Sequence, residues 1–233
     1  MNYRKLSVIV PVYNERSTVA EAIRRARSVD LPLDRELIVV DDGSTDGTAD
    51  LLPTLADSKV RVVSHPANRG KTAAIRTGLA HATGDLVVIQ DADLEYDPED
   101  WAALLAPVLA GRARVVYGSR FTGSRRNMLF WSNVGNRFLC FVTNVLYGTR
   151  LSDVETCYKL FDRRLLDGIP LRSERFGFEP EVTARLLRAG EPIVEVPISY
   201  DGRTRQEGKK ISWRDGLETL RLLVACRFTR RSG

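Results

Sequence analysis

Three carboxylates at alternate positions, Asp91, Asp93 and Glu95, follow a short apolar run from Leu86 to Ile89. In extended backbone alternate side chains share a face, so acids spaced this way can converge on one point. Carboxylate oxygens suit a hard cation, which makes Asp91, Asp93 and Glu95 a candidate ligand set for Mg²⁺ or Mn²⁺. A solvated acidic turn after a strand explains an isolated Asp-x-Asp equally well, so the other polar clusters decide. Two stand upstream, Tyr13-Asn14-Glu15 and Asp41-Asp42-Gly43-Ser44-Thr45-Asp46-Gly47. Far downstream, Arg203-Thr204-Arg205-Gln206-Glu207-Gly208-Lys209-Lys210 is a glycine-containing basic loop whose cations suit phosphate oxygens.

The elements that must position these clusters are legible as runs. Residues 6–12, 36–40, 60–63 and 85–90 are short apolar, β-branched stretches, the pattern of strands buried on both faces. Helical periodicity fills residues 18–29, 48–55 and 72–82 between them, with Val19, Ala22, Ile23 and Ala26 on one face of the first. Strand and helix alternating through short connections predict a mostly parallel α/β sheet with right-handed crossovers. Ligands bind such sheets at the carboxyl ends of the strands, where all three polar clusters fall. The second half reads as a helix over 98–109, a strand over 115–121, a long helix over 128–147, a helix over 180–189 and a strand over 193–198. An amphipathic helix over 213–227 follows, with Leu217, Leu220, Leu223 and Val224 apolar. In the 128–147 helix, Trp131, Val134, Phe138, Val142 and Val145 form an apolar stripe that either packs into the core or meets a membrane interface. The last helix could lie on an anionic bilayer or close the core.

Composition narrows the classes. With 233 residues, 43% apolar and 28% charged, the chain is long enough for one large domain with a substantial core. The net charge of +5 sits in the tail: residues 202–233 hold nine Lys/Arg against three Asp/Glu, or +6, leaving −1 for the rest. That favours a local anionic partner, such as phosphate or a membrane face, and argues against nucleic acid, since no aromatic residues interleave the basic stretch. A merely solubilising tail accounts for the charge as well. No run matches a membrane span, and three widely spaced cysteines with no evident leader point to a reducing cytoplasm. No Gly-x-Gly-x-x-Gly follows the first strand, and Gly70-Lys71-Thr72 lacks the P-loop's upstream glycine, which is His65 here.

In this order the motifs resemble those of a family 2 glycosyltransferase with the GT-A fold, and more narrowly the dolichol-phosphate or polyprenol-phosphate mannosyltransferases. The residues concerned are Val10-Pro11-Val12-Tyr13-Asn14-Glu15, Val40-Asp41-Asp42-Gly43-Ser44-Thr45-Asp46-Gly47-Thr48 and Gln90-Asp91-Ala92-Asp93-Leu94-Glu95. Tyr117-Gly118-Ser119-Arg120, Thr156-Cys157-Tyr158-Lys159-Leu160-Phe161 and the 203–210 loop extend the likeness to nearly the whole chain. The resemblance implies a single domain, with residues 1–97 binding the nucleotide sugar and 98–233 the acceptor. Pro11, Tyr13, Glu15, Val40 and Asp42 would line base and ribose. Asp91, Ala92 and Asp93 would face the ribose and diphosphate, with Asp93 and Glu95 on the metal, and Arg120, Arg203 and Lys209 would contact the donor or its phosphates. Asp41 has a plausible turn role, and Asp46 and Lys71 are read as turn and helix-start residues.

The implied reaction is inverting transfer of a hexose, mannose from GDP-mannose by resemblance, to a polyprenyl or dolichyl phosphate at the cytoplasmic membrane face. Docking would be peripheral, through a helix or a membrane-protein partner. UDP-glucose or another donor, a glycan acceptor, or a non-catalytic sugar-nucleotide module are the alternatives. A hydroxyl acceptor needs a base, for which Asp153 is the candidate beside a plain loop or cap role. A phosphate monoester, with its second pKa near ~6, does not.

Overall fold

The computed structural model describes residues 2–128, 130–173, 177–203 and 213–228. Its first half follows the apolar runs closely. Strands β1 (Lys5–Val12), β2 (Asp34–Asp41), β3 (Val60–Ser64) and β4 (Leu86–Ile89) are joined by helices α1 (Val19–Ser28), α2 (Thr48–Leu55) and α3 (Lys71–His81). All four strands run parallel, in the order β3-β2-β1-β4. Val8, Ile9 and Val10 of β1 and Leu86 to Ile89 of β4 are fully buried, because helices cover both faces of a parallel sheet. Each such side chain contributes on the order of 1.5–3 kcal/mol of burial.

The second half continues the same sheet. After a 3₁₀ turn over Pro98–Asp100 and helix α4 (Trp101–Leu109), β5 (Val115–Ser119) lies two places from β4. Between them sits β7 (Lys159–Asp162), antiparallel to both, with Leu160 opposite Val88 and Val116. Strand β8 (Val194–Pro197) closes the seven-stranded sheet parallel to β5. A two-residue pair, β6 (Arg125–Arg126) with β9 (Tyr200–Asp201), stands apart. The rest is helical: α5 (Phe130–Tyr147), α6 (Arg163–Asp167), α7 (Phe178–Arg188) and α8 (Trp213–Phe228).

Two local expectations are corrected. The acids at 91–95 do not continue β4 as extended chain: the strand ends at Ile89 and the backbone turns, with Leu94 at φ 66°. In a turn, alternate spacing does not by itself place side chains on one face. The described part of the α5 stripe is not core either, with Val142 half-buried. Its buried side carries Asn136, Leu139, Cys140 and Thr143, while Val134, Phe138 and Val145 are exposed and Phe141 is 65% exposed. Helix α8 buries Leu223 and exposes Leu217 and Val224. Among the described residues no helix is long and apolar enough to cross a membrane.

Candidate active site

The acidic turn sits where β4 ends, and each carboxylate has its own partner. Asp91 accepts from Lys71 Nζ at 2.9 and 3.0 Å, and the same ammonium lies 2.9 Å from Glu179 of α7. Burial pushes Lys71 down, but the two carboxylates outweigh it and hold the ammonium well above the ordinary lysine range. Lys71 does begin α3, yet its side chain is a bridge between the turn and α7. Its reading as a helix-start residue alone is thereby corrected.

Glu95 is held by other partners. It accepts from Tyr200 Oη at 2.7 Å and from the Arg203 backbone N–H at 2.7 Å. The β6–β9 pair delivers Arg203, whose guanidinium forks onto Glu15 at 2.7 and 3.2 Å and donates through Nε to the Asp93 carbonyl at 3.0 Å. One arginine thus joins the ends of β1 and β4.

Asp93 lies between these systems. Its Oδ1 accepts the Glu95 N–H at 3.1 Å, and Oδ2 has no hydrogen bond among the described residues. Burial first, then the charges of Asp91 and Glu95, push its carboxyl up to about 7 despite Arg203. A hard, negatively crowded oxygen of this kind fits a divalent cation. Among the described residues, however, no group of three or more His, Cys, Asp or Glu side chains is placed to hold a metal. A preformed cage of Asp91, Asp93 and Glu95 is therefore not what the turn builds.

Arg120 and Asp153 come together as a closed pair. Arg120 Nε and Nη2 donate to Asp153 at 2.7 Å each, its N–H adds a third bond at 3.1 Å, and Asn136 Nδ2 a fourth. Arg120 also lies 5.1 Å over the Tyr200 ring. Asp153 is fully buried with both oxygens engaged, so it anchors Arg120 and offers no free base. Removing one partner of such a pair costs about 3–5 kcal/mol.

The remaining site candidates divide by exposure. Pro11, Tyr13 and Glu15 stand partly exposed at the end of β1. Val40 is fully buried, packed with Ile38 and Ala74, and Ala92 is 3% exposed, so neither side chain reaches an open site. Asp42 is buried with its oxygens on His65 Nδ1 and the Arg69 and Gly70 N–H groups, which makes it the anchor of the loop before α3. Asp46 caps Thr48 as a helix-start residue, and Asp41 accepts from Ser44 within the turn. Lys209 lies outside the described residues. Sequence reasoning missed Glu179, Tyr96, Tyr158 and Tyr200. Tyr158 donates to Gln90 Oε1 at 2.6 Å, and the Cys157 N–H donates to Tyr96 Oη at 3.1 Å. Only the tyrosines beside polar motifs gave any signal; Glu179 gave none.

Comparison with known proteins agrees with this architecture. The chain is 31% identical over 214 residues to undecaprenyl-phosphate 4-deoxy-4-formamido-L-arabinose transferase of Klebsiella pneumoniae subsp. pneumoniae, covering 88% of this chain and 62% of that protein. The same transferase of an Enterobacter species is 30% identical over 210 residues, with the same shares covered. The chain therefore spans less than two thirds of the length of these relatives. Among solved structures, glucosyl-3-phosphoglycerate synthase from Mycobacterium tuberculosis bound to phosphoglyceric acid superposes with TM-score 0.75 at 26% identity, covering 99% of this chain and 82% of that one. The same enzyme with Mn²⁺, uridine diphosphate and glucosyl-3-phosphoglycerate gives 0.74 at 25%, with the same coverage. The mostly parallel sheet with its polar strand ends is thus the GT-A fold. The glycosyl transferase family 2 model matches residues 7–169, from β1 through the acidic turn to the end of α6, and the chain belongs to that family.

Proposed function

We propose that this chain transfers a sugar from a nucleoside-diphosphate donor to a polyprenyl phosphate at a membrane surface. The observation that carries the reading is the turn after β4, where Asp93 keeps a free carboxylate oxygen and Arg203 ties the turn to Glu15. Pro11, Tyr13 and Glu15 would flank the base and ribose. Arg203, Lys209 and Arg120, the last held by Asp153, would supply charge for the donor phosphates.

Asp93 is the residue that would hold Mg²⁺ or Mn²⁺, the other places being filled by donor phosphate oxygens and water, as is usual for Mg²⁺. Asp91 and Glu95 would then shape the turn and its charge, not complete a cage. The cation supplies Lewis-acid stabilisation of the departing diphosphate. Attack from the opposite side inverts the anomeric centre. Mn²⁺ and uridine diphosphate in the structural neighbour support this use of the turn.

The lipid acceptor is supported by the named relatives and by the surface. Seven of the eight exposed large hydrophobic residues among those described lie on α5 and α8: Val134, Phe138, Phe141, Val145, Leu217, Val224 and Phe228. Helix α5 has no acidic residue, and Arg137, Arg221 and Arg227 are exposed on the same two helices, with Glu218 an exposed acid of α8. An apolar face with basic edges suits an anionic leaflet, so we place the chain peripherally on the inner face of the membrane.

The mannose expectation rests on resemblance alone. The relatives are named for a formamido-arabinose and the structural neighbours for a glucosyl group, so the donor is proposed as a nucleoside-diphosphate sugar. The test incubates the protein with Mg²⁺, polyprenyl phosphate and a panel of labelled sugar nucleotides. One donor should yield organic-extractable label. No extractable label from any donor would sink the acceptor assignment.

A further inference from the structure

Tyr200 of β9 is buried, and its backbone is tied to both sides of the site. Its N–H donates to the Ser124 carbonyl at 3.0 Å. The next two N–H groups, of Asp201 and Gly202, donate to the Glu95 and Arg126 carbonyls at 2.9 and 3.1 Å. An isolated antiparallel bridge also joins Tyr200 to Tyr96. The ring stands edge-on to Tyr96, with centroids 5.3 Å apart, and Tyr96 packs in turn on Tyr158 at 4.8 Å. Gly202 lies against the same ring: a Cβ there would stand 2.9 Å from Tyr200 Cε1 and 3.1 Å from its hydroxyl. Backbone, aromatic neighbours and the absent Cβ together fix where this side chain lies.

Its hydroxyl and its ring reach different parts of the site. The hydroxyl donates to Glu95 Oε2 at 2.7 Å, while Glu95 accepts from Arg203 through Oε1 and donates its own N–H to Asp93. Burial, then the charge of Glu95, push the hydroxyl pKa up, so the group stays a donor at any working pH. The ring lies under the Arg120 guanidinium, 5.1 Å from its carbon to the centroid. Arg120 engages Asp153 through Nε and Nη2, and its Nη1 has no hydrogen bond among the described residues. A guanidinium held at one edge by a carboxylate and on its face by a ring keeps that last nitrogen in a set direction, as a phosphate oxygen requires. Among the described residues, Tyr200 is the one side chain with a polar or cation–π contact to both Glu95 and Arg120.

We propose that Tyr200 is a positioning residue of the transfer reaction: its hydroxyl sets the acidic turn and its ring sets Arg120, so that both meet one diphosphate in register. This rests on the reading of the chain as a transferase using a nucleoside-diphosphate donor. Tyr200 gives no proton and no ligand to the reaction and acts through Glu95 and Arg120. Tyrosine suits the task because one stiff side chain joins a flat face for a guanidinium to a hydroxyl donor at its tip. The two contacts are separable by substitution. Phenylalanine keeps the ring under Arg120 and loses the bond to Glu95, whereas leucine loses both.

The test titrates uridine or guanosine diphosphate with Mn²⁺ into wild type, Tyr200→Phe and Tyr200→Leu. Transfer to polyprenyl phosphate and melting temperature are read alongside. Tyr200→Phe should weaken diphosphate binding by about tenfold, as expected for a lost hydrogen bond to a charged group, and lower kcat by a similar factor. Tyr200→Leu should lose a further factor of about five or more through Arg120, and if it fails to fold, Tyr200→Phe decides. Double variants then show which partner carries the loss. On a Glu95→Ala background Tyr200→Phe should cost less than about twofold, and on an Arg120→Lys background its full factor. A tyrosine that only supports the fold would lower the melting temperature and cost the same on both backgrounds. That result overturns the role of Tyr200, and so does a Tyr200→Phe that binds and transfers like an active wild type. A wild type that transfers to no acceptor sinks the transferase reading, and the role of Tyr200 with it.

Discussion

At the scale of the residue, the site is built from charges that are either tightly paired or deliberately crowded. Lys71 is the clearest paired case. Lys71→Met would leave Asp91 and Glu179 facing each other without a cation, and should cost about 3–5 kcal/mol in denaturant unfolding. Asp93 is the crowded one. Its folded pKa is raised to about 7, so the penalty of ionising it is absent well into acid and complete above neutrality. Without metal, Asp93→Asn should therefore melt higher than wild type at about pH 8, by roughly 1–3 kcal/mol in stability, and lose that advantage near about pH 4. Mn²⁺ should raise the wild-type melting temperature and not that of the variant. The acids were legible in the sequence as types and spacing. Their partners were not, because Lys71, Glu179 and Arg203 reach them across 20 to more than 100 positions of chain, and no local pattern encodes such a contact.

Elements tell a similar story at longer range. Strands β1 to β4 and helix α1 follow directly from apolar runs and 3.6-residue periodicity, since each is a local pattern with one burial solution. Strand β7 did not: Lys159–Asp162 contains a lysine and an aspartate, and its antiparallel insertion between β4 and β5 is a long-range pairing. Helix α5 was legible as a helix but not in its orientation, because its polar face, Asn136 and Thr143 included, is the one that packs inward. The turn after β2 offers a test at this scale. Gly43 has φ +71°, and a Cβ there would stand 2.5 Å from the Ala67 backbone. Gly43→Ala must strain the turn or push back the loop that Asp42 holds, at a cost of about 2 kcal/mol or more in thermal or chemical unfolding. Weaker nucleotide binding should accompany it, since Asp42 anchors the loop before α3.

For the whole molecule, two surfaces define the proposed activity: polar strand ends on the sheet, and an apolar face with basic edges on α5 and α8. The second is testable without any chemistry. Phe138→Asp with Phe141→Asp places two charges where 53% and 65% exposed rings now stand, so the fold should tolerate them. Sedimentation with anionic liposomes should drop by about tenfold or more, while nucleotide binding stays intact. Unchanged liposome binding would remove α5 from the membrane contact. The central claim concerns the first surface, that the turn after β4 is a metal–diphosphate site. Calorimetric titration of uridine or guanosine diphosphate into wild type and Asp93→Ala, with Mn²⁺ or with chelator, tests it most directly. The wild type should bind one of the two with Mn²⁺, and lose about tenfold or more in affinity on chelation or on Asp93→Ala, with the fold intact. Equal affinity in all arms would contradict the account.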